Sequence, residues 1–114
     1  MRNRLRLVLT LALLAAASGT AFAQNAQVIG TLKDSSGGVL PGVTVTARNE
    51  ETGLTRTAVS EANGEYRLPA LPPGRYAVAA ELLGFTGETR QNLVLVIDQT
   101  LTVDFEFLPG SVTG

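Results

Sequence analysis

The sequence predicts an all-β sandwich of seven short strands that follows a cleaved signal peptide. Apolar and polar residues alternate along several segments, turn-forming residues separate these segments, and a basic, then apolar, then small-residue segment opens the chain. Alternation places successive side chains on opposite faces of a sheet, whereas a helical face repeats about every 3.6 residues. Short strands between regularly spaced turns are typical of a β-sandwich.

Residues 1–23 have the three parts of a secretory signal peptide. Three arginines stand near the N-terminus, an apolar run of 11 residues occupies positions 7–17, and the segment ends in Ala21-Phe22-Ala23. A transmembrane helix needs about 20 apolar residues, so this run is short for a membrane anchor. We predict cleavage after Ala23; a retained membrane anchor is the alternative.

The predicted mature chain is small and acidic. Removing residues 1–23 from a chain of 114 leaves 91 residues, which keep 6 of the 9 basic groups and all 10 acidic groups, so the net charge becomes −4. This length fits one domain, predicted over residues 24–108, with a C-terminal tail over residues 109–114. Nucleic acids select basic faces, so the charge excludes them as partners and weighs against an electrostatic hold on anionic lipid.

Composition excludes most catalytic chemistry. The chain has no histidine and no cysteine, which removes the imidazole base, the thiolate nucleophile, the disulfide and the histidine-ligated zinc site. The adjacent Glu50-Glu51 pair is predicted to lie in a solvated loop, whereas the two acids of a glycosidase face each other across a cleft. We therefore predict no enzymatic activity and no cofactor.

A calcium site is the alternative interpretation of four oxygen-bearing residues, Asp34, Glu61, Asn63 and Glu65. Calcium binds six to eight oxygens, and several of them usually come from one loop. The spacing of these four residues is not that of a dedicated calcium loop. We predict that they belong to turns and that no metal is bound.

Seven strands are predicted in chain order, at residues 27–33, 43–48, 54–60, 65–68, 75–82, 93–97 and 100–107. The last strand has the cleanest alternation, with its acids and threonines on one face and its apolar residues on the other. Residues 93–97 are apolar at every position, which predicts a central strand or one covered on both faces.

The Asn63-Gly64 pair is the strongest hairpin signal in the sequence. Both residues tolerate the positive φ of a type I′ turn, so we predict that turn and a positive φ at Gly64. Prolines 69, 72 and 73, followed by Gly74, predict a stiff connection with few backbone donors for a ladder. The remaining turns are predicted at residues 34–38, 41–42 and 98–99.

A structural motif of turn residues and core-facing aromatic residues runs along the chain: Gly30, Pro41, Gly42, Asn63, Gly64, Tyr66, Pro73, Gly74, Tyr76, Gly84 and Phe85. In order and spacing, residues 26–108 resemble the carboxypeptidase regulatory-like domain. The resemblance implies a prealbumin-like (transthyretin-like) sandwich, of the class also called a carbohydrate-binding-like fold. Such domains occur behind the catalytic domain of zinc carboxypeptidases, whose zinc ligands lie in that other domain. They also directly follow the signal peptide of Oar-like TonB-dependent outer-membrane receptors, which is the position found here.

The resemblance implies a non-catalytic exported module that serves as a structural or protein-interaction accessory domain of an outer-membrane receptor-type system. We expect a monomer in the periplasm, at the outer membrane or secreted, with another protein or domain of the cell envelope as its partner. The alternative is a weak carbohydrate-binding module, which the fold class also implies. A free-standing module and a truncated receptor both agree with a chain that ends soon after residue 108.

Aromatic rings distinguish these two functions. Sugar-binding platforms expose rings, whose flat apolar faces stack on sugars. Tyr66 and Tyr76 occupy the alternate strand positions that are otherwise apolar, so we predict that both rings lie in the core. Each hydroxyl is then expected near a sheet edge, where water or a backbone carbonyl can bind it. Phe85 is the one ring expected at the surface. A row of exposed rings favours glycan binding, and smooth polar faces favour the interaction module.

Overall fold

The computed structural model describes residues 25–108 and confirms the all-β prediction. The predicted signal peptide and the predicted tail lie outside these described residues. Across residues 25–108, no helix is long and apolar enough to cross a membrane. Eight strands are found there instead of seven: β1 (Ala26–Asp34), β2 (Thr44–Asn49), β3 (Thr55–Val59), β4 (Glu65–Leu71), β5 (Gly74–Glu81), β6 (Glu88–Leu95), β7 (Thr100–Thr102) and β8 (Phe105–Phe107).

The strands form two four-stranded sheets that share one hydrophobic core. In the first sheet, β1 lies between β4 and the pair β7 and β8; it is antiparallel to β4 and parallel to both others. The second sheet has the order β3-β2-β5-β6 and is antiparallel throughout. The chain therefore changes sheets after β1, β3, β4 and β6.

Alternation fills the space between the sheets as predicted. In β5 the inward side chains of Tyr76, Val78 and Ala80 are fully buried, while Arg75 and Glu81 are exposed. Each fully buried large apolar side chain contributes roughly 1.5–3 kcal/mol relative to an exposed one, so packing stabilises a chain without disulfides. The other largest buried side chains are Val28, Leu32, Val43, Val45, Leu68, Leu71, Leu95 and Phe107.

The predicted strand 100–107 is divided into β7 and β8 at Val103 and Asp104. The Val103 N–H donates to the carbonyl of Ile29 at 2.8 Å, and the Val103 carbonyl then turns against Gly30. A Cβ on Gly30 would lie 1.9 Å from that carbonyl oxygen, so only glycine permits the approach. The apolar residues of both short strands still face the core, because the break preserves the alternation.

The predicted burial of residues 93–97 on both faces is wrong. The strand is β6 (Glu88–Leu95), it lies at the edge of the second sheet, and its only strand partner in that sheet is β5. Val94 and Val96 are 57% and 56% exposed, whereas Leu95 is buried. An edge strand with no layer over its outer face buries only alternate residues, even when all of them are apolar.

The turn at Asn63-Gly64 differs from the predicted type I′ turn. Gly64 has a φ of +79°, as predicted, but Asn63 is not among the positive-φ residues. The Gly64 N–H donates to the carbonyl of Glu61 at 2.8 Å, which gives a longer turn that ends on a left-handed glycine. A type I′ turn joins two neighbouring strands of one sheet, whereas here the chain crosses from β3 in one sheet to β4 in the other.

Strand β4 extends beyond the predicted residues 65–68 and includes Pro69. A proline is tolerated there because β4 is an edge strand and one of its sides needs no ladder hydrogen bonds. The next residue, Ala70, has a φ of +58°, and the register with β1 shifts between Ala26 and Val28. The stiff proline connection therefore begins only after Leu71.

Candidate functional site

The two tyrosines of the motif lie in the core. Tyr66 is 4% exposed and Tyr76 is fully buried, as the alternation predicts. The Tyr66 hydroxyl donates to the Val103 carbonyl at 2.5 Å, and the Tyr76 hydroxyl donates to the Pro72 carbonyl at 2.6 Å. Burial raises the pKa of Tyr66, and the nearby Asp104 carboxylate adds to the rise. Both hydroxyls thus meet backbone carbonyls, one of the two outcomes predicted for them.

The other motif residues are distributed over turns and core positions. Pro41 and Gly42 lie in the β1–β2 connection, Pro73 and Gly74 lie where β5 begins, and Gly84 lies in the β5–β6 turn. Gly42 and Gly84 have φ values of +77° and +89°. The motif is therefore spread over the molecule and is not gathered around one cavity.

Phe85 is not the exposed ring expected from the sequence. It is half-buried, and its centroid lies 6.2 Å from that of Phe107. The preceding Leu83 is 99% exposed instead, because the β5–β6 turn directs Leu83 outward and packs Phe85 against the core. Within residues 25–108, all aromatic rings are buried or half-buried: Tyr66, Tyr76, Phe85, Phe105 and Phe107.

Two of the four residues considered as calcium ligands, Asp34 and Asn63, have local hydrogen-bond partners. The Asp34 carboxylate accepts hydrogen bonds from the Ser36 and Gly38 N–H groups, each at 2.9 Å, and from the Ser36 hydroxyl at 2.5 Å. These hydrogen bonds, led by that of the Ser36 side chain, lower the pKa of Asp34. The Asn63 Oδ1 accepts the Glu65 N–H at 3.0 Å. In the part of the chain that the structure describes, no three Asp, Glu, His or Cys residues form a group that could hold a metal ion.

The Glu50-Glu51 pair lies exposed in the β2–β3 turn. Buried Asn49 organises this turn, since its Oδ1 accepts the N–H groups of Glu51 and Thr52 at 2.9 and 3.0 Å. The pair belongs to a hydrogen-bonded surface turn and does not line a cleft with a second acid, in agreement with the loop prediction.

The outer face of the second sheet is smooth. We call it the threonine–alanine face, and its centre consists of Thr44, Thr46, Thr57, Ala79 and Thr89. Thr46 is paired with Thr57 on one side and with Ala79 on the other, and Ala79 is paired with Thr89. Longer side chains border this centre. Arg48 stands between Thr55 and Ala77 in the next row, Thr44 lies between Val59 and Glu81, and Arg75 pairs with Val94 farther along.

The outer face of the first sheet is polar and carries more charge. Arg67 Nε donates to Gln27 Oε1 at 3.0 Å, and Gln27 Nε2 donates to Thr100 Oγ1 at 2.9 Å, which forms a row across β4, β1 and β7. Beside this row lies an open cleft of about 220 Å³ that Ala70 and Asp98 also line. Both of these residues have positive φ, 58° and 61°, so the backbone is strained around the cleft.

Sequence reasoning missed the threonine–alanine face as a unit. Each strand taken alone shows outward polar or small residues, which the alternation predicts. Their assembly depends on the strand order β3-β2-β5-β6, which the sequence does not reveal. The available signal was the repeated threonine at alternate positions in two strands, Thr44 with Thr46 and Thr55 with Thr57.

The domain is a prealbumin-like β-sandwich. It has two sheets with this strand order, a core that contains two buried tyrosines, and turns that contain glycine. Residues 27–108 match the carboxypeptidase regulatory-like domain, and the chain belongs to that family. Over 93 residues it is 38% identical to the TonB-dependent transporter Oar of Myxococcus xanthus. The match covers 81% of this chain but only 9% of the length of that curated relative.

Solved structures share the fold at low identity. A provisionally named carbohydrate-binding protein from Bacteroides uniformis has a TM-score of 0.59 and 23% identity, with 75% of this chain and 42% of that chain covered. The catechol 1,2-dioxygenase of Pseudomonas arvilla has a TM-score of 0.61 and 15% identity, with 83% and 55% covered. At such identities the likeness shows the fold alone, because one sandwich fold serves unrelated functions.

Proposed function

We propose that the mature chain is a non-catalytic, exported β-sandwich module that acts as a structural or protein-interaction accessory domain of an outer-membrane receptor-type system. Membership in the carboxypeptidase regulatory-like family and the 38% identity to a TonB-dependent transporter support this function and an envelope location. The partner is another protein or domain of the cell envelope.

The observation that carries the proposal is the smoothness of the threonine–alanine face. Its central side chains are no longer than threonine, so the backbone of a second protein can approach the sheet closely over several strands. Threonine offers both a methyl group and a hydroxyl that accepts or donates a hydrogen bond, which suits a mixed polar and apolar protein interface. Charges of both signs surround the centre of the threonine–alanine face. Arg48, Arg75 and Glu50 lie at one end of its strands, and Glu81 lies at the other end.

Site-specific crosslinking tests this function. A photoreactive side chain is placed at Ala79, in the centre of the threonine–alanine face, and in a second variant at Thr102, on the outer face of the first sheet. Each variant is expressed with its N-terminal segment in the producing bacterium. We expect a protein adduct of defined mass from position 79 and none from position 102. Equal labelling at both positions, or none at position 79 in a folded variant, would contradict the proposal.

A weak carbohydrate-binding module is the second candidate, and the Arg67–Gln27–Thr100 row favours it. Guanidinium, amide and hydroxyl groups bind sugar hydroxyls, and the adjacent cleft of about 220 Å³ is open to solvent. Titration with a panel of soluble glycans tests this candidate. Binding that Gln27→Ala abolishes and Thr46→Ala leaves unchanged would replace the interaction module with the glycan module.

Export requires that residues 1–23 act as a cleaved signal peptide. N-terminal sequencing of the protein recovered from the cell envelope is expected to begin at Gln24. A protein that still begins at Met1 and fractionates with membranes would support the retained anchor.

A further inference from the structure

We propose that Asn63 undergoes spontaneous deamidation. The folded turn suppresses this reaction, and local opening of the turn permits it. In this reaction the backbone nitrogen of Gly64 attacks Cγ of Asn63; a new N–Cγ bond forms, the Cγ–Nδ2 bond breaks, and ammonia leaves. Water then opens the resulting succinimide ring at either carbonyl, which gives aspartate or isoaspartate. No oxidant or cofactor takes part, and glycine has no side chain to obstruct the attack.

The hydrogen bonds of the turn oppose the first step. The Gly64 nitrogen must give up its proton to become a nucleophile, but that proton is held by the Glu61 carbonyl at an N···O distance of 2.8 Å. The Asn63 side chain is also held, because its Oδ1 accepts the Glu65 N–H at 3.0 Å. Both reacting groups are therefore engaged elsewhere in the folded chain.

The turn also contacts β1 and the loop after β1. While these contacts persist, the backbone of the turn cannot rearrange. The Leu32 N–H donates to the Gly64 carbonyl at 2.8 Å. A Cβ on Gly64 would lie 2.7 Å from the Leu32 carbonyl oxygen and 2.9 Å from Val39 Cβ, so no free space adjoins this backbone. The succinimide ring needs a different backbone path at residues 63 and 64, and the chain reaches it only when the turn leaves β1.

The two products affect the fold differently. Aspartate at position 63 keeps the backbone path and retains an oxygen for the Glu65 N–H. Isoaspartate inserts one extra carbon into the backbone between residues 63 and 64, which displaces the Gly64 carbonyl from the Leu32 N–H. Isoaspartate therefore breaks the hydrogen bond between β1 and the turn that links the two sheets, whereas aspartate preserves it.

Peptide mass spectrometry measures the reaction directly. The protein is incubated at mildly alkaline pH, folded in buffer and unfolded in urea, and its peptides are separated so that aspartate and isoaspartate are resolved. We expect deamidation at Asn63 to be at least about tenfold slower in the folded protein, because it must await local opening. Asn25, Asn49 and Asn92 precede alanine, glutamate and leucine, and they serve as slowly reacting internal controls.

Equal rates at Asn63 in the two conditions, or no reaction in urea, would overturn the proposal. A core variant, Tyr76→Ala, gives a second measurement: its rate in buffer should rise toward the rate in urea as the fold weakens. A third compares thermal midpoints. The Asn63→Asp variant should match the parent, the isoaspartate fraction should melt lower, and an unchanged midpoint of that fraction would contradict the assigned role of the Leu32–Gly64 hydrogen bond.

Discussion

The Asp104 carboxylate accepts a hydrogen bond from the backbone N–H of Thr31 at 2.8 Å. The bond forms at the break between β7 and β8, where a continuous strand would have offered a backbone carbonyl to β1. A side-chain oxygen thus replaces a missing ladder partner beside Gly30. The break leaves the Thr31 donor satisfied, and the sheet continues on both sides of it.

Replacing this carboxylate tests its contribution. Asp104→Ala should lower the free energy of unfolding by about 1 kcal/mol, because one hydrogen bond of a charged, exposed acceptor is lost. Asp104→Asn keeps an oxygen at the same position and should lose less than half of that amount. Urea denaturation measures both. Equal losses would indicate that Asp104 acts through its charge and not through this hydrogen bond.

Gly64→Ala should destabilise the fold more than Gly37→Ala. Both glycines have positive φ, so each substitution costs about 1–2 kcal/mol of left-handed strain. A Cβ on Gly37 meets open space, whereas one on Gly64 meets the Leu32 carbonyl at 2.7 Å. The difference between the two denaturation midpoints isolates this close approach. Equal midpoints would show that the turn shifts away from β1 without loss.

Ala70→Gly should stabilise the protein. Ala70 has a φ of +58° in β4, and glycine adopts that conformation without a Cβ penalty. The gain should be a few tenths to about 1 kcal/mol, because the greater freedom of glycine in the unfolded chain offsets part of the relieved strain. Ala77→Gly, in the middle of β5, is the matched control and should destabilise. Thermal melting of both variants measures the contrast, and a lower midpoint for Ala70→Gly would argue against strain at this residue.

Tyr76 should prove essential to the fold. Tyr76→Ala removes a fully buried ring and should cost about 3–5 kcal/mol, which is enough to unfold many domains of this size. Tyr76→Phe removes only the hydrogen bond to the Pro72 carbonyl and should cost about 1 kcal/mol. Circular dichroism follows both variants, and a glycan titration is run beside it. A folded Tyr76→Ala variant that loses a measurable sugar affinity of the parent would instead favour the glycan module.

Alkaline pH should weaken the fold through Tyr66. A tyrosine in an unfolded chain ionises at a pH of about 10, whereas burial raises the pKa of Tyr66 well above that value. Its contribution is therefore complete below about pH 10 and is lost as the pH rises further, because the unfolded state releases a proton that the folded state retains. Tyr66→Phe should reduce this alkaline slope of stability. An unchanged slope would assign the pH dependence to other groups.

Strand parity allowed the core to be predicted from the sequence. Tyr66 and Tyr76 were placed inward because their charged neighbours require the other face, and packing obeys the same rule. The division of residues 100–107 was not predictable, since it depends on Gly30 meeting Val103 from a distant part of the chain. The exposed edge at β6 was missed for a related reason: its outermost position in the second sheet results from tertiary pairing and not from local composition.

The candidate site shows the same division. That Thr46 and Ala79 face outward follows from alternation within their own strands. Strand order makes Thr46 and Ala79 neighbours, and it also places Thr57 and Thr89 beside them to complete the smooth surface. Phe85 was misplaced because parity has no meaning in a turn, where the path of the backbone decides which side chain turns inward.

The pairing of β1 has a kinetic consequence for the folding of this domain. Among the described strands β1 is the first in chain order, and it finds its parallel partners only in β7 and β8, the last two. The first sheet is therefore complete only when the two ends of residues 26–107 have come together, and its closure is a non-local event. Such topologies fold in milliseconds to seconds, so we expect stopped-flow refolding in that range, and a microsecond phase that carries the full amplitude would contradict it. During that interval the side of β1 that later pairs with β7 and β8 is available to any chaperone or neighbouring strand that reaches it first.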